Sequence, residues 1–178
     1  MPELDIQQNL GRAKNAIQEY LIRKLLYPKV YLDADWNGNH VDVLAIDRTG
    51  VGDIHSVRIV PVLFEHGPTN WNHYMTKAGH VDRERCDELM GLPGHFRYAA
   101  LFNVAAHLRR FEPTAALIQK ITATDGVGRL GILVVDFADE QPSVRTALNP
   151  ERFRSSKDIF EIADRYMSEH SANWEMRE

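Results

Sequence analysis

The sequence predicts one α/β domain, a three-layer sandwich with a mixed central β-sheet of about five strands and helices on both sides. Two observations carry this prediction: strand-like and helix-like segments alternate along the chain, and no repeat or Gly/Ser-rich linker divides it. A length of 178 residues with 44% hydrophobic residues suits a single domain. We assign that domain to 1–178, with its core at about 10–137 and a C-terminal helix at about 155–170.

The first predicted element is a long helix that ends before Pro28. Apolar residues recur at spacings of three and four and form one stripe, while a residue before proline is disfavoured in the α region. The stripe consists of Leu10, Ala13, Ile17, Leu21 and Leu25. Glu19 lies off this stripe, as a solvated surface residue would.

Three strands are predicted next, at 29–33, 40–47 and 54–64. The turn residues Asn37-Gly38-Asn39 predict a hairpin between the first two. Pro61 indicates an edge position, a bulge or a strand end in the third. Period-two alternation in the second strand predicts two faces, which carry Val41, Val43 and Ala45 on one side and Asp42, Leu44 and Ile46 on the other.

The remaining chain predicts further alternation of helices and strands. Helical patterns cover parts of 71–90 and the stretch up to about Thr122, and a strand is predicted at 95–102. The near-continuous apolar run at 129–137 predicts a strand buried on both faces. The C-terminal helix is predicted from an amphipathic pattern of Ile159, Ile162, Ala163 and Tyr166.

Composition limits the classes of function. A formal net charge of −4 weighs against strong non-specific DNA binding, although a local basic patch is compatible with it. The chain has no apolar run long enough to span a bilayer and no signal-peptide pattern, and a lone Cys86 suits a reducing compartment. These features predict a cytoplasmic protein without membrane contact.

The helix, hairpin and third strand, with Val-Asp-Val-Leu-Ala-Ile-Asp in the second strand, resemble the PD-(D/E)XK (restriction-endonuclease-like) nucleases. The likeness is nearest to the small Holliday-junction-resolvase and repair-type members and covers about 10–64. It implies a restriction-endonuclease-like core with an aspartate on the second strand, Glu-x-Lys on the third and an acid on the first helix. Asp42 matches the aspartate, and Glu19 is the best match for the helix acid.

The chain departs from the family at the Glu-x-Lys motif. Arg58 stands at the position of the glutamate and Val60 at that of the lysine. A guanidinium puts fixed positive charge where a Mg²⁺ or Mn²⁺ ion belongs, and it is expected to pair with Asp42 instead. The resemblance therefore predicts a degenerate domain that binds nucleic acid or a protein partner without cleavage and without a cofactor.

Two alternatives stay open at this point. The first is an active Mg²⁺- or Mn²⁺-dependent DNA endonuclease whose catalytic residues have migrated to Asp53, His55, Glu65 or Lys77. The second is a protein-interaction module with no role on nucleic acid, which the acidic net charge favours.

Three further patterns are interpreted as structural. His66, His73 and His80 recur every seven residues, but glycine and proline between them argue against one helix and hence against a zinc site. The stretch 126–131 fits G-x-G-x-x-G, yet it precedes a strand instead of following one, so no dinucleotide site is predicted. Cys86 is interpreted as a packed residue.

Overall fold

The described part of the chain has an α/β structure built on one seven-stranded mixed sheet. The computed structural model describes residues 3–47, 53–62, 91–103, 130–137, 140–154 and 158–176. Its described helices are α1 (Glu3–Leu25) and α2 (Ile159–Glu169). Its strands are β1 (Lys29–Trp36), β2 (Asn39–Ile46), β3 (Ile54–Val62), β4 (Phe96–Asn103), β5 (Gly131–Asp136), β6 (Ser143–Leu148) and β7 (Trp174–Glu175).

The sheet has the strand order β6-β5-β4-β3-β2-β1-β7. The first three strands form an antiparallel meander, whereas β4 runs parallel to β3 and β5 runs parallel to β4. β6 and β7 close the two edges in antiparallel pairing. The α/β class and the mixed sheet are confirmed; the prediction of about five strands was wrong because it lacked these two edge strands.

The β1–β2 turn has the geometry that its residues predict. Trp36 pairs with Asn39, which leaves Asn37 and Gly38 as a two-residue loop. Both have positive φ, 54° and 84°, as a type I′ turn requires. The predicted hairpin is confirmed.

Each face of the sheet carries its own buried cluster. Ala13, Ile17 and Leu21 of α1 are buried in one cluster and Leu10 packs against it, whereas Leu25, the last residue of the predicted stripe, is 37% exposed. Ile159, Ala163 and Tyr166 of α2 belong to the other. The α1 cluster takes Val43, Ala45, Val57 and Ile59 from the sheet, and the α2 cluster takes Val41, Leu44, Ile46 and Ile54.

α1 also contacts β6, one edge strand of the sheet, and the segment before it. The Tyr20 hydroxyl lies 2.6 Å from Thr146 Oγ1 of β6, and Arg12 donates to the Glu140 carbonyl at 2.8 Å. The helix ends at Leu25, and Leu26 follows with a left-handed φ of 55°. Neither described helix contains a stretch apolar and long enough to cross a membrane.

The alternation of side chains along β1 and β2 changes phase near Asp33 and Asp42. Asp33, within β1, has a positive φ of 50°. Beyond it Ala34 and Trp36 join the α2 cluster, and Val41 on the paired strand does the same. The prediction that Val41 shares a face with Val43 was therefore wrong, since a positive φ at one residue offsets a period-two pattern.

The predicted helices within 71–90 and before Thr122 lie outside the described residues. The strands predicted at 95–102 and 129–137 are confirmed as β4 and β5, and all six residues of β5 are buried. The C-terminal helix is confirmed with narrower bounds. Pro61 lies one residue before the end of β3, in the part of that strand beyond its ladder with β2.

A candidate site around Asp42

Asp42 lies where β2 and β3 part. Their ladder runs from Ile46 and Ile54 to Val43 and Val57 and ends there, although both strands continue. Asp42 is the next residue of β2, and only 5% of its surface is exposed. A carboxylate this buried requires charged or hydrogen-bonding partners.

The Asp42 carboxylate replaces a backbone acceptor in the sheet. Its Oδ2 accepts a hydrogen bond from the Ile59 amide at 2.7 Å. Its Oδ1 lies 3.2 Å from Nε2 of His40, two residues earlier on the same strand. The side chain thus continues the connection between β2 and β3 after the regular ladder has ended.

Two fixed cations neutralise the acids at this point. Lys14 of α1 forms an ion pair with Asp33, and its Nζ lies 3.9 Å from Asp42 Oδ1. Arg58 Nε lies 4.0 Å from Asp42 Oδ2, while Arg58 Nη1 donates to the His40 carbonyl at 2.9 Å. Two carboxylates therefore face one ammonium and one guanidinium, with the His40 imidazole beside them.

Asp33, His40 and Asp42 also form a possible metal-ligand group. One ligand atom from each lies within 4.8 Å of the other two. Two carboxylates and an imidazole suit Mn²⁺ or Zn²⁺ better than Mg²⁺, which prefers oxygen ligands alone. The fit is incomplete, because Lys14 and Arg58 place positive charge within 4.0 Å of Asp42.

Glu19 and Val60 occupy different surroundings from Asp42. The Glu19 side chain is 65% exposed and pairs with Arg23 at 3.8 Å on the same helix. The backbone of Val60 pairs with Leu101 of β4. Lys14, not Glu19, is the α1 residue in ionic contact with Asp42.

The role of Lys14 was missed in the sequence, although a signal was present. Lys14 lies four residues after Leu10 and three before Ile17, so it belongs to the apolar stripe of α1. A lysine on a buried helix face requires an acidic partner from the element beneath. The acids of β1 and β2 supply it.

The alternative catalytic positions lie elsewhere or outside the described residues. Asp53 pairs with Arg152 at 2.8 Å, and His55 is opposite Ala45 in the ladder. Ala45 lies three positions after Asp42 on β2, a distance of about 10 Å along a strand. Several residues considered in the sequence analysis lie outside the described part of the chain: Glu65, Lys77, His66, His73, His80, Cys86 and 126–129.

His55 is buried in a box of aromatic rings. Its ring centroid lies 4.5 Å from that of Tyr27, 4.7 Å from Phe96 and 5.5 Å from Tyr98. Burial, and secondarily the nearby His95, lower the pKa of His55 to about 3. Burial also raises the pKa of the Tyr27 and Tyr98 hydroxyls. The imidazole is therefore neutral at physiological pH and does not act as a cation.

Comparison with known proteins adds no relative: no protein-family model, curated protein or solved structure matches the chain.

Proposed function

We propose that this chain is a degenerate PD-(D/E)XK-like domain that binds nucleic acid without cleaving it. The observation that carries the proposal is the pairing of Asp42 with Lys14 and Arg58, two cations at the place where a nuclease of that superfamily would hold a divalent metal. The restriction-endonuclease-like core and the three-layer arrangement are parts of this proposal.

The element order supports the fold assignment. α1 precedes an antiparallel β1–β2–β3 meander, and β4 follows parallel to β3. The aspartate of interest lies on the second strand, at the point where β2 and β3 part.

The charges at the site support the absence of cleavage. β3 contains no acidic residue between Ile54 and Val62, so it supplies no second carboxylate to a metal beside Asp42. A divalent ion would have to displace both cations from a carboxylate that is already hydrogen-bonded to the sheet. Without a metal or an activated water, phosphodiester hydrolysis lacks its usual electrostatic stabilisation.

The exposure of the basic groups supports nucleic acid as the partner. The side chains of His40 and Arg58 are 51% and 33% exposed, and they lie on neighbouring strands. Arginine forms paired hydrogen bonds with phosphate oxygens. Because the protein carries a net charge of −4, we expect a small number of phosphate contacts and a shallow salt dependence, of about two to three counterions.

Fluorescence anisotropy with labelled single-stranded, duplex and branched DNA tests the proposal. We expect salt-sensitive binding by the wild type, about tenfold weaker binding by Arg58→Gln and intact DNA in the presence of Mn²⁺. Arg23→Gln is the matched control, because Arg23 is an exposed α1 residue whose described ion pair is to Glu19. Absence of salt-sensitive binding to all three DNAs would refute the proposal and favour a protein partner.

A second candidate function is a metal-dependent nuclease, which the group of Asp33, His40 and Asp42 favours. These three residues would hold a Mn²⁺ ion, which would supply Lewis-acid chemistry to a phosphodiester. The deciding measurement is calorimetric titration of Mn²⁺ into the wild type and into Asp33→Asn. Asp33 is exposed, so this change tests the ligand group without removing the buried Asp42.

Stoichiometric Mn²⁺ binding that disappears in Asp33→Asn, together with Mn²⁺-dependent cleavage of DNA, would establish the nuclease. No heat of binding at millimolar Mn²⁺ would leave the non-cleaving proposal in place.

A further inference from the structure

A pocket of about 280 Å³ lies on the α2 side of the sheet, away from α1 and Lys14. It is formed by the β1–β2 turn, the segment before β4 and the beginning of α2. Its apolar lining consists of Trp36, Leu92, Ile159 and Ile162, and the first three are largely buried. Asn37, Asn39, Arg97 and Arg154 supply its polar groups.

The charged side chains among the described residues of the lining are both positive. Two arginines and two side-chain amides line it, and no carboxylate is among the described residues of the lining. Asp158 and Glu161, near the start of α2, are exposed and outside the lining. In a chain whose net charge is −4, this is a local concentration of positive charge in a concave surface.

Arg97 is held in a fixed orientation at this pocket. Its Nε donates to the Gly94 carbonyl at 3.2 Å, and its guanidinium carbon lies 4.2 Å from the centre of the Phe153 ring. Stacking on an aromatic ring and the hydrogen bond to Gly94 orient the plane of the guanidinium before any ligand binds. Preorganised donors of this kind reduce the entropic cost of binding.

The wall that carries Gly94 is also fixed. Gly94 has a φ of 105°, and a Cβ atom there would lie 2.7 Å from the Ile54 carbonyl oxygen. The Ser56 hydroxyl donates to the Pro93 carbonyl, and the His95 amide donates to Ile54 O at 2.9 Å. These bonds hold the segment against β3, so the pocket is part of the folded structure.

We propose that this pocket binds a phosphate group carried on a small, partly apolar molecule, that is, a nucleoside phosphate. The two guanidiniums and the two amides recognise the phosphate oxygens, and the apolar part of the lining contacts the base. The pocket volume of about 280 Å³ is near the lower end of the range for small-ligand pockets, about 300–1,000 Å³. The source is either a free mononucleotide or a terminal nucleotide of a nucleic acid, since both present the same chemistry.

Titration of adenosine monophosphate into the full chain, followed by calorimetry and by tryptophan fluorescence, tests this inference. We expect saturable binding by the wild type and affinity at least tenfold lower for Arg154→Gln, because Arg154 is an exposed cation of the lining. Arg165→Gln is the matched control, since Arg165 is an exposed arginine of α2 outside the lining and its loss should leave the affinity unchanged.

Further arms of the experiment identify the chemistry and its source. Adenosine without phosphate should bind at least tenfold more weakly than the monophosphate, and inorganic phosphate should compete. Displacement by a 5′-phosphorylated oligonucleotide would identify a nucleic-acid end, and failure to displace would identify a free nucleotide. No binding at millimolar monophosphate, or equal affinity in wild type and Arg154→Gln, would overturn the inference.

This test is independent of the site at Asp42. Arg58 is not among the residues of the pocket, so the two tests change different side chains: Arg58→Gln for the site at Asp42 and Arg154→Gln for the pocket. A negative result in the DNA-binding test therefore does not decide the test with adenosine monophosphate, and the reverse also holds.

Discussion

Asp42 connects three separate parts of the chain through one carboxylate. It accepts the Ile59 amide of β3, lies beside His40 of β2, and lies 3.9 Å from the ammonium group of Lys14 on α1. Because the group is buried, the cost of its removal includes the partners that it leaves behind. The residue has a structural role as well as its proposed place in the site.

Replacement of Asp42 should separate these contributions. Asp42→Ala is expected to lower the free energy of unfolding by about 2–4 kcal/mol, because a buried amide and two cations lose their acceptor. Asp42→Asn retains an acceptor for Ile59 and should cost about 1–2 kcal/mol. Urea denaturation measures both, with the exposed Glu19→Gln as a control that should stay within about 0.5 kcal/mol. Equal stability of wild type and Asp42→Ala would contradict this role.

His55 gives the protein a defined sensitivity to acid. Its buried Nδ1 has no hydrogen-bond partner among the described residues, and its pKa is about 3 against an ordinary value of 6.5. The unfolded chain therefore binds a proton at this residue between those two values, and the folded chain does not. The contribution of His55 to the free energy of unfolding is therefore fully present above pH 6.5. It decreases as the pH falls towards 3.

Replacement of His55 by phenylalanine should reduce that sensitivity. His55→Phe keeps an aromatic ring among Tyr27, Phe96 and Tyr98 and removes the titrating nitrogen. We expect stability near that of the wild type at pH 7. Between pH 6.5 and pH 4, the loss of unfolding free energy should be smaller than in the wild type by about 2–4 kcal/mol. Urea denaturation at intervals of one pH unit measures it, and parallel curves would refute the assignment.

At the level of elements, the residue after α1, Leu26, has an unfavourable backbone conformation that a substitution can relieve. Leu26 has a φ of 55° and is 69% exposed, and Tyr27 N donates to the Leu21 carbonyl at 3.3 Å. This is the left-handed position after a helix that glycine normally occupies. A leucine there has an unfavourable backbone conformation and gains little from burial.

Leu26→Gly should therefore stabilise the protein by about 0.5–1 kcal/mol. The adjacent Leu25→Gly supplies the opposite case, because Leu25 is the last helical residue and glycine there should cost about 0.5–1 kcal/mol. Thermal denaturation of the two variants compares them directly. A loss of stability in Leu26→Gly would show that the Leu26 side chain contributes packing that its exposure does not indicate.

At the level of the whole molecule, local signals predicted the elements that local interactions define. The α1 stripe, the turn at Asn37 and Gly38, and the apolar run of β5 are each contained within one segment. β6 and β7 were missed because pairing with distant strands defines them: β6 is half-buried, and β7 has only two residues. A short strand of this kind has no periodicity to detect.

The surroundings of Asp42 were only partly predictable for a similar reason. The sequence placed Asp42 on the right strand and identified Arg58 as a neighbouring cation on β3. The contribution of Lys14 depends on how α1 packs over β1 and β2, and the phase change depends on one backbone angle at Asp33. Both are tertiary features that a period-two pattern does not contain.

The pairing of β7 with β1 has a consequence for aggregation. Only Lys29 and Val30 pair with β7, while Asn173 Oδ1 accepts the Leu32 amide at 2.7 Å and the Met176 amide donates to Pro28 at 2.8 Å. This short tail satisfies hydrogen-bonding groups of β1 that would otherwise face outward. An uncovered strand is a template for the same strand of another molecule. A variant that ends at His170 should form concentration-dependent oligomers in light scattering, and a single Asn173→Ala change should promote the same association more weakly.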